Sequence, residues 1–168
     1  SAGIRRRLRD AVAPEAPTVI DLDAMPLAEP VLFAQVALTT MGLTRDFSRL
    51  VVMCAHGSTT ENNPYQASLD CGACGGQTGE VNARLLAMLL NDPEVRRGLH
   101  ARGLMVPDST VFVGGLHNTT TDDLQLYDTD LVPDSHSDEL AQLKEWLADA
   151  GRRARAERAA SLGLAASV

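Results

Sequence analysis

The run LVVMCA at residues 50–55 decides the fold. It is unbroken apolar sequence without the alternation of a half-exposed strand. That predicts a strand covered on both faces, as in a parallel sheet. It ends at His56-Gly57, where the chain turns polar. A second run, TVFV at 110–113, has the same character. It ends at Gly114-Gly115, ahead of the polar stretch LHNTTT at 116–121. Between the two lies a helix over about 79–90, with Val81, Leu85, Leu86, Leu89 and Leu90 on a wide apolar face. Asn91-Asp92-Pro93 breaks it and starts another, with Asp92 as N-cap, Pro93 in the first turn and a glycine stop near Arg102-Gly103. Strands separated by helices predict an α/β fold with a parallel β-sheet flanked by helices. Ligands in such folds sit beyond the C-terminal strand ends. The polar clusters CAHGS and GGLHNTTT therefore point to one site fed by both loops.

Working outward, PTVIDL at 17–22 reads as a short strand. Glu29-Pro30 opens a helix, with Leu32, Val36 and Leu43 along one side. Residues 137–162 form a C-terminal helix with an apolar stripe of Leu140, Leu143, Leu147 and Ala150, and Trp146 beside it. Arg152, Arg153, Arg155 and Arg158 place cations at its negative end. From His117 to Glu139 there are seven acids and no Lys or Arg, which reads as a solvated acidic loop. Residues 1–168 read as a single α/β domain or a fragment of one. The start at Ser1-Ala2-Gly3, without Met, suggests a processed product or a fragment.

Composition narrows the function. Of the 168 residues, 45% are hydrophobic and 22% charged, enough for a core and too apolar for a disordered chain. Aromatics make up 4%, and the net charge is -7, which together argue against nucleic-acid binding. No apolar run approaches the roughly 20 residues that cross a bilayer, and no signal-peptide pattern is present. A cytosol-facing location follows. The basic cluster Arg5, Arg6, Arg7 and Arg9 reads as a solvated helix end or as a contact with an anionic membrane surface.

The chemistry concentrates in GSTTENNPYQASLDCGACGGQT at 57–78, a long polar segment of the kind that is functional or disordered. His56 precedes it, and Cys71 lies fifteen positions after His56. Thiolate and imidazole together suit zinc. The spacing fits no zinc-finger signature, and two ligands fall short of the three or four a zinc site takes, so ordinary thiols and a strand-end histidine remain open. Cys71-Gly-Ala-Cys74 is a CxxC without the second pair of a zinc ribbon. It sits mid-loop, which disfavours a thioredoxin-like redox motif. Cys54, inside the apolar run, reads as a core residue. CGGQTGEVN before a helix resembles a phosphate loop but lacks the Gly-Lys-Ser/Thr ending. His117 with Asn118 reads either as a hydrogen-bonded loop or as a group orienting a substrate or ligand.

VVMCAHGSTTENNPYQASLDCGACGGQTGEVNARLLAMLLN and the later FVGGLHNTTTDDLQLYD resemble the DabA family, the large soluble subunit of a two-component inorganic-carbon accumulation system. The combined pattern of H-G-S-T-x-E-N-N-P-Y and D-C-G-A-C-G-G carries the resemblance, strongest over 48–130. It implies a β-carbonic-anhydrase-like domain with zinc (Zn2+) held by Cys, Asp, His and Cys. The His falls on His56 and the second Cys on Cys71. The other two ligands belong to an upstream Cys-x-Asp-x-Arg motif that does not occur in this sequence, and the family's proteins are several times longer. The chain is thus expected to be a C-terminal, β-carbonic-anhydrase-like half-domain carrying half of a metal site, with no catalytic residue assigned beyond the ligands.

The resemblance further implies hydration of CO2 to bicarbonate as part of energy-coupled transport. It also implies a membrane-embedded, proton-conducting DabB-like partner, and a peripheral position on the cytoplasmic side of the bacterial inner membrane. Two other readings stand beside it. One is a non-catalytic module whose His56, Cys71 and Cys74 hold a structural zinc. The other is an interaction domain whose long loop docks a partner.

Overall fold

A computed structural model of the chain describes residues 28–60 and 64–164. The expected strand at 17–22 and the basic cluster at Arg5–Arg9 lie outside them. The elements run α1 (Ala28–Thr40), β1 (Leu50–Gly57), a one-turn α2 (Gln66–Leu69), α3 (Glu80–Asn91), α4 (Pro93–Ala101), β2 (Val111–Asn118), β3 (Leu124–Leu126) and α5 (Ser137–Ser161). The fold is α/β, as the alternation of runs predicts. β1 pairs with β2 in parallel, in a register that sets Leu50 opposite Val111 and His56 opposite His117. The sheet order is β1-β2-β3, and β3 adds an antiparallel edge that the sequence reading lacks. A three-residue strand with one polar residue is too short to show alternation.

Successive residues of a strand point to opposite faces. The face carrying Met53 and Phe112 packs on α1, α3 and α4, where Val31, Ala34, Leu38, Ala87, Leu90, Val95 and Leu99 complete the core. The central strand β2 buries Phe112, Val113, Gly114 and Gly115 in a row. Gly114 and Gly115 do not end the strand. A Cβ on Gly114 would lie 3.0 Å from the Cα of Arg84, and one on Gly115 would lie 2.9 Å from Cγ1 of Val52. Here glycine permits close packing of α3 and β1 on the central strand rather than a turn.

β1 departs from expectation. It is covered on the Met53 face only, and Cys54 on the other face is exposed rather than in the core. Its register partner Gly115 has no side chain to shield it, and β1 forms the sheet edge among the described residues. Helix α1 also turns differently. Val31, Ala34 and Leu38 are buried, while Leu32 and Val36 each stay 54% exposed. Both faces of α1 are apolar, so periodicity alone could not choose between them. On α3 the buried set is Ala83, Arg84, Ala87, Leu89 and Leu90, and Val81 is exposed.

The start of α4 follows the sequence reading. Asp92 accepts from the backbone N–H of Glu94 at 2.7 Å and Val95 at 2.9 Å. Asp92→Ala is expected to cost about 1 kcal/mol of stability in urea titration, the usual value of a lost N-cap.

The acidic stretch is not simply solvated. Asp128 receives a two-pronged ion pair from the buried Arg84, Nε to Oδ2 at 2.8 Å and Nη2 to Oδ1 at 2.9 Å. Glu80, one turn earlier on α3, accepts from Nη1 of Arg84 at 3.1 Å. Arg49 binds Glu139, and Arg155 binds Asp123. Tyr127 lies under the Arg84 guanidinium. Burial, and then Glu80, push its phenol up to about 12. An unfolded phenol titrates near 10. The neutral phenol's contribution to stability is therefore complete below about pH 10 and is lost as pH rises toward about 12. A spectrophotometric titration of the folded chain should show one of its two tyrosines ionising only near that upper value.

Candidate functional site

Both strand-end loops converge as the sequence predicts. At the end of β1, the Gly57 carbonyl accepts from the Thr119 N–H at 2.9 Å and from its hydroxyl at 3.0 Å. The Asn118 amide donates to the Thr59 hydroxyl at 2.8 Å, and the Thr59 N–H donates to the Thr120 hydroxyl at 3.2 Å. His56 and His117 occupy paired positions of the parallel ladder and so share a face of the sheet. Nδ1 of His56 is shut off from solvent and has no hydrogen-bond partner among the described residues. The His56 backbone carbonyl accepts from the Gly79 N–H at the start of α3 at 3.0 Å.

Cys71 is placed by its neighbour. Asp70 is buried, and its Oδ1 accepts from the Ser58 N–H at 2.7 Å and the Ser58 hydroxyl at 3.0 Å. Ser58 follows His56 by two residues and Asp70 immediately precedes Cys71, so one carboxylate ties the cysteine loop to the strand end that carries the histidine. In the sequence, Asp70 stands with Cys71 and Cys74 among the residues that mark the 57–78 segment as functional, but nothing there gives it a role of its own. Its signal was an acid next to a candidate ligand in a loop without Lys or Arg. Cys71 is half-buried and hydrogen-bonds the loop closed against Gln77. The Cys74 thiol donates to Cys71 Sγ at 2.8 Å and accepts from the Asn82 amide at 3.2 Å. Its hydrogen bond to Cys71, with burial second, holds the Cys74 thiol above the usual range.

The second loop is held from behind by α5. Arg158 donates to Asp122 Oδ1 at 2.7 Å, and His117 Nε2 lies 3.3 Å from the same oxygen. The Asp122 side chain is 5% exposed. Arg155 donates to the Thr121 carbonyl at 3.0 Å. Gly151 lies against the loop so closely that a Cβ there would sit 2.6 Å from the Asp122 carbonyl oxygen. These arginines do more than complement the helix dipole. Two of them, Arg155 and Arg158, position the loop that follows His117 and Asn118 at the end of β2.

A zinc ion suits the donor types of His56 and Cys71, and the buried Nδ1 of His56 has no hydrogen-bond partner among the described residues. The set is incomplete, however. Among the described residues no group of three or more His, Cys, Asp or Glu side chains is placed to hold a metal ion, so the three-ligand site of His56, Cys71 and Cys74 is not assembled. A tetrahedral centre built on His56 and Cys71 needs two donors from outside these residues. Also among the described residues, no helix is long and apolar enough to cross a membrane.

In this α/β fold a parallel strand pair carries a histidine at its C-terminal end, and a buried carboxylate ties a glycine-rich cysteine loop to the same strand end. The family model "Probable inorganic carbon transporter subunit DabA" matches residues 1–167. The chain belongs to the DabA family. A probable inorganic carbon transporter subunit DabA of Roseiflexus castenholzii is 52% identical over 163 residues, covering 95% of this chain and 19% of the relative. One from Acidithiobacillus ferrooxidans is 56% identical over 128 residues, 76% of this chain and 16% of the relative. One from Chloroflexus aurantiacus is 50% identical over 163 residues, 95% and 20%. The chain thus spans about a fifth of the length of these relatives. No solved structure matches it.

Proposed function

We propose that the chain supplies two of the zinc ligands, His56 and Cys71, to a β-carbonic-anhydrase-like centre within an inorganic-carbon transporter subunit. The observation that carries this reading is the buried, unpartnered Nδ1 of His56 beside a cysteine loop fixed to the same strand end. Family membership adds the transport context. A zinc bound there would supply Lewis-acid activation of water for hydrating CO2 to bicarbonate. The chain's own residues orient the donors. Asp70 locks the Cys71 loop through Ser58. The Thr119 and Asn118 contacts close the strand end. Arg158 and Asp122 hold His117 beside His56 on the sheet face.

In this reading the subunit is peripheral on the cytoplasmic side of the inner membrane, and a membrane-embedded, proton-conducting DabB-like subunit is its partner. Two donors bind zinc weakly, so the isolated chain is expected to retain little zinc and to show no CO2 hydration. Elemental analysis and stopped-flow hydration assays of the purified chain test this. Stoichiometric zinc with fast hydration would show that the site is complete without further ligands and overturn the half-site reading.

A further inference from the structure

The Cys74 thiol has no task in the proposed metal centre, yet the fold holds it against Cys71 with the two sulfurs 2.8 Å apart. We propose that Cys71 and Cys74 form a reversible intramolecular disulfide, with a small-molecule disulfide of the glutathione class as oxidant.

The backbone builds this pair deliberately. Gly72–Cys74 is a single 3-10 turn with Cys71 as its N-cap. In such a turn side chains at i and i+3 eclipse, and three steps at about 2.0 Å rise separate their Cα atoms by about 6 Å, inside the window a disulfide spans. The turn is closed on itself. The N–H groups of Cys74 and Gly76 both donate to the Cys71 carbonyl, and the Cys71 N–H donates to the Gln77 carbonyl. That closure needs φ of 69° at Gly75 and 80° at Gly76, left-handed backbone that glycine adopts at little penalty. The CGACGG sequence therefore fixes the relative position of the two sulfurs before any bond forms. Both cysteines are half-buried and the turn residues between them, Gly72 and Ala73, are exposed, so a small oxidant can reach them.

The chemistry balances as thiol–disulfide exchange. One cysteine sulfur, as thiolate, attacks the small-molecule disulfide, breaking its S–S bond and releasing one thiol. The second cysteine then attacks the mixed disulfide and releases the other. The chain loses two hydrogens and two electrons, and the oxidant takes up both as two thiols. Oxidised Cys71 has no thiolate to offer a metal, so disulfide and zinc exclude one another. That consequence alone rests on the proposed function.

The test uses the full 168-residue chain, reduced and stripped of metal by a chelator. It is equilibrated in a graded series of reduced and oxidised glutathione, quenched in acid, and its free thiols are alkylated and counted by mass spectrometry. No Lys or Arg lies between Arg49 and Arg84, so trypsin leaves all three cysteines in one peptide, 50–84, and Cys54→Ser is needed to locate the bond. The expected result is loss of two alkylatable thiols per chain, both of them in Cys54→Ser. Pre-organisation should let the folded chain oxidise in a buffer about tenfold or more richer in reduced glutathione than the urea-unfolded chain requires. Three free thiols throughout the series, a bond that includes Cys54, or identical oxidation of folded and unfolded chain would each overturn the proposal. Repeating the series with excess Zn2+ on a subunit of the relatives' full length, where the two further donors of the proposed centre are expected, separates the two readings. Protection supports ligation by Cys71, and oxidation unchanged by zinc counts against the metal centre while leaving the disulfide standing.

Discussion

Alanine at His56 or at Cys71, in a subunit of the relatives' full length that carries these residues, is expected to abolish inorganic-carbon accumulation. The expectation follows from how few donors the chain offers. A four-coordinate zinc that loses one of its ligands keeps three, and no third donor joins His56 and Cys71 in a metal-holding group among the described residues. Because the Cys74 sulfur lies 2.8 Å from that of Cys71, Cys71→Ala is also made in a Cys74→Ala background. His56 stands at the rigid end of a paired strand, so its loss cannot be made good by movement of a neighbouring loop. Growth at ambient CO2, uptake of labelled bicarbonate and zinc content of the purified subunit measure the effect together. Asp70→Asn is the graded control. It weakens the lock on Ser58 while sparing both donors, and should lower metal affinity by about 10- to 100-fold, as loss of an outer hydrogen bond to a ligand does. Uptake at the parental level with both alanine variants would refute the ligand assignment.

Arg84→Ala is expected to be the most destabilising single change among the described residues' ion pairs, costing about 3–5 kcal/mol. Arg84 is buried on the face of α3 that meets β2, where Gly114 leaves room for it. Removing it strands Asp128 and Glu80, which are themselves only partly exposed, beside a phenol that is already costly to ionise. It also frees the segment after β3, where Asp128 takes a left-handed conformation at φ 53°. Small domains hold only about 5–15 kcal/mol in all, so a large part of the stability goes. Denaturant titration followed by circular dichroism measures it. Asp128→Asn added to Arg84→Ala should recover part of the loss, since it removes one of the two stranded charges. A change below about 1 kcal/mol would show the cluster to be a surface pair of ordinary value.

The sites legible in the sequence are those whose signal is local. LVVMCA and TVFV announce parallel strands because continuous apolar character is a property of the segment itself. Asp92-Pro93 announces a helix start because capping acts within one turn. The convergence of the His56 and His117 loops was legible from topology, since parallel strands end on the same edge. Cys54, the buried face of α1 and the pairing of the acidic stretch were not legible. Each depends on what lies across the fold, whether a glycine opposite a cysteine, a neighbouring helix, or arginines far away in sequence.

By itself, then, the sequence determined the α/β class, the parallel pair, and which imidazole and thiol to watch. The short range of these signals is the reason, because propensity, capping and apolar runs act over a few residues. Only the tertiary structure decided that Asp70 fixes the Cys71 loop through Ser58, that Arg158 and Asp122 set His117, and that Arg84 is buried among acids. Ser58 and Asp70, Arg158 and Asp122, and Arg84 and Asp128 are pairs whose separation in sequence carries no pattern. Their geometry exists only once the helices have packed on the sheet and brought these groups within bonding reach, whereas the contact of Cys74 with Cys71 is made within one local turn.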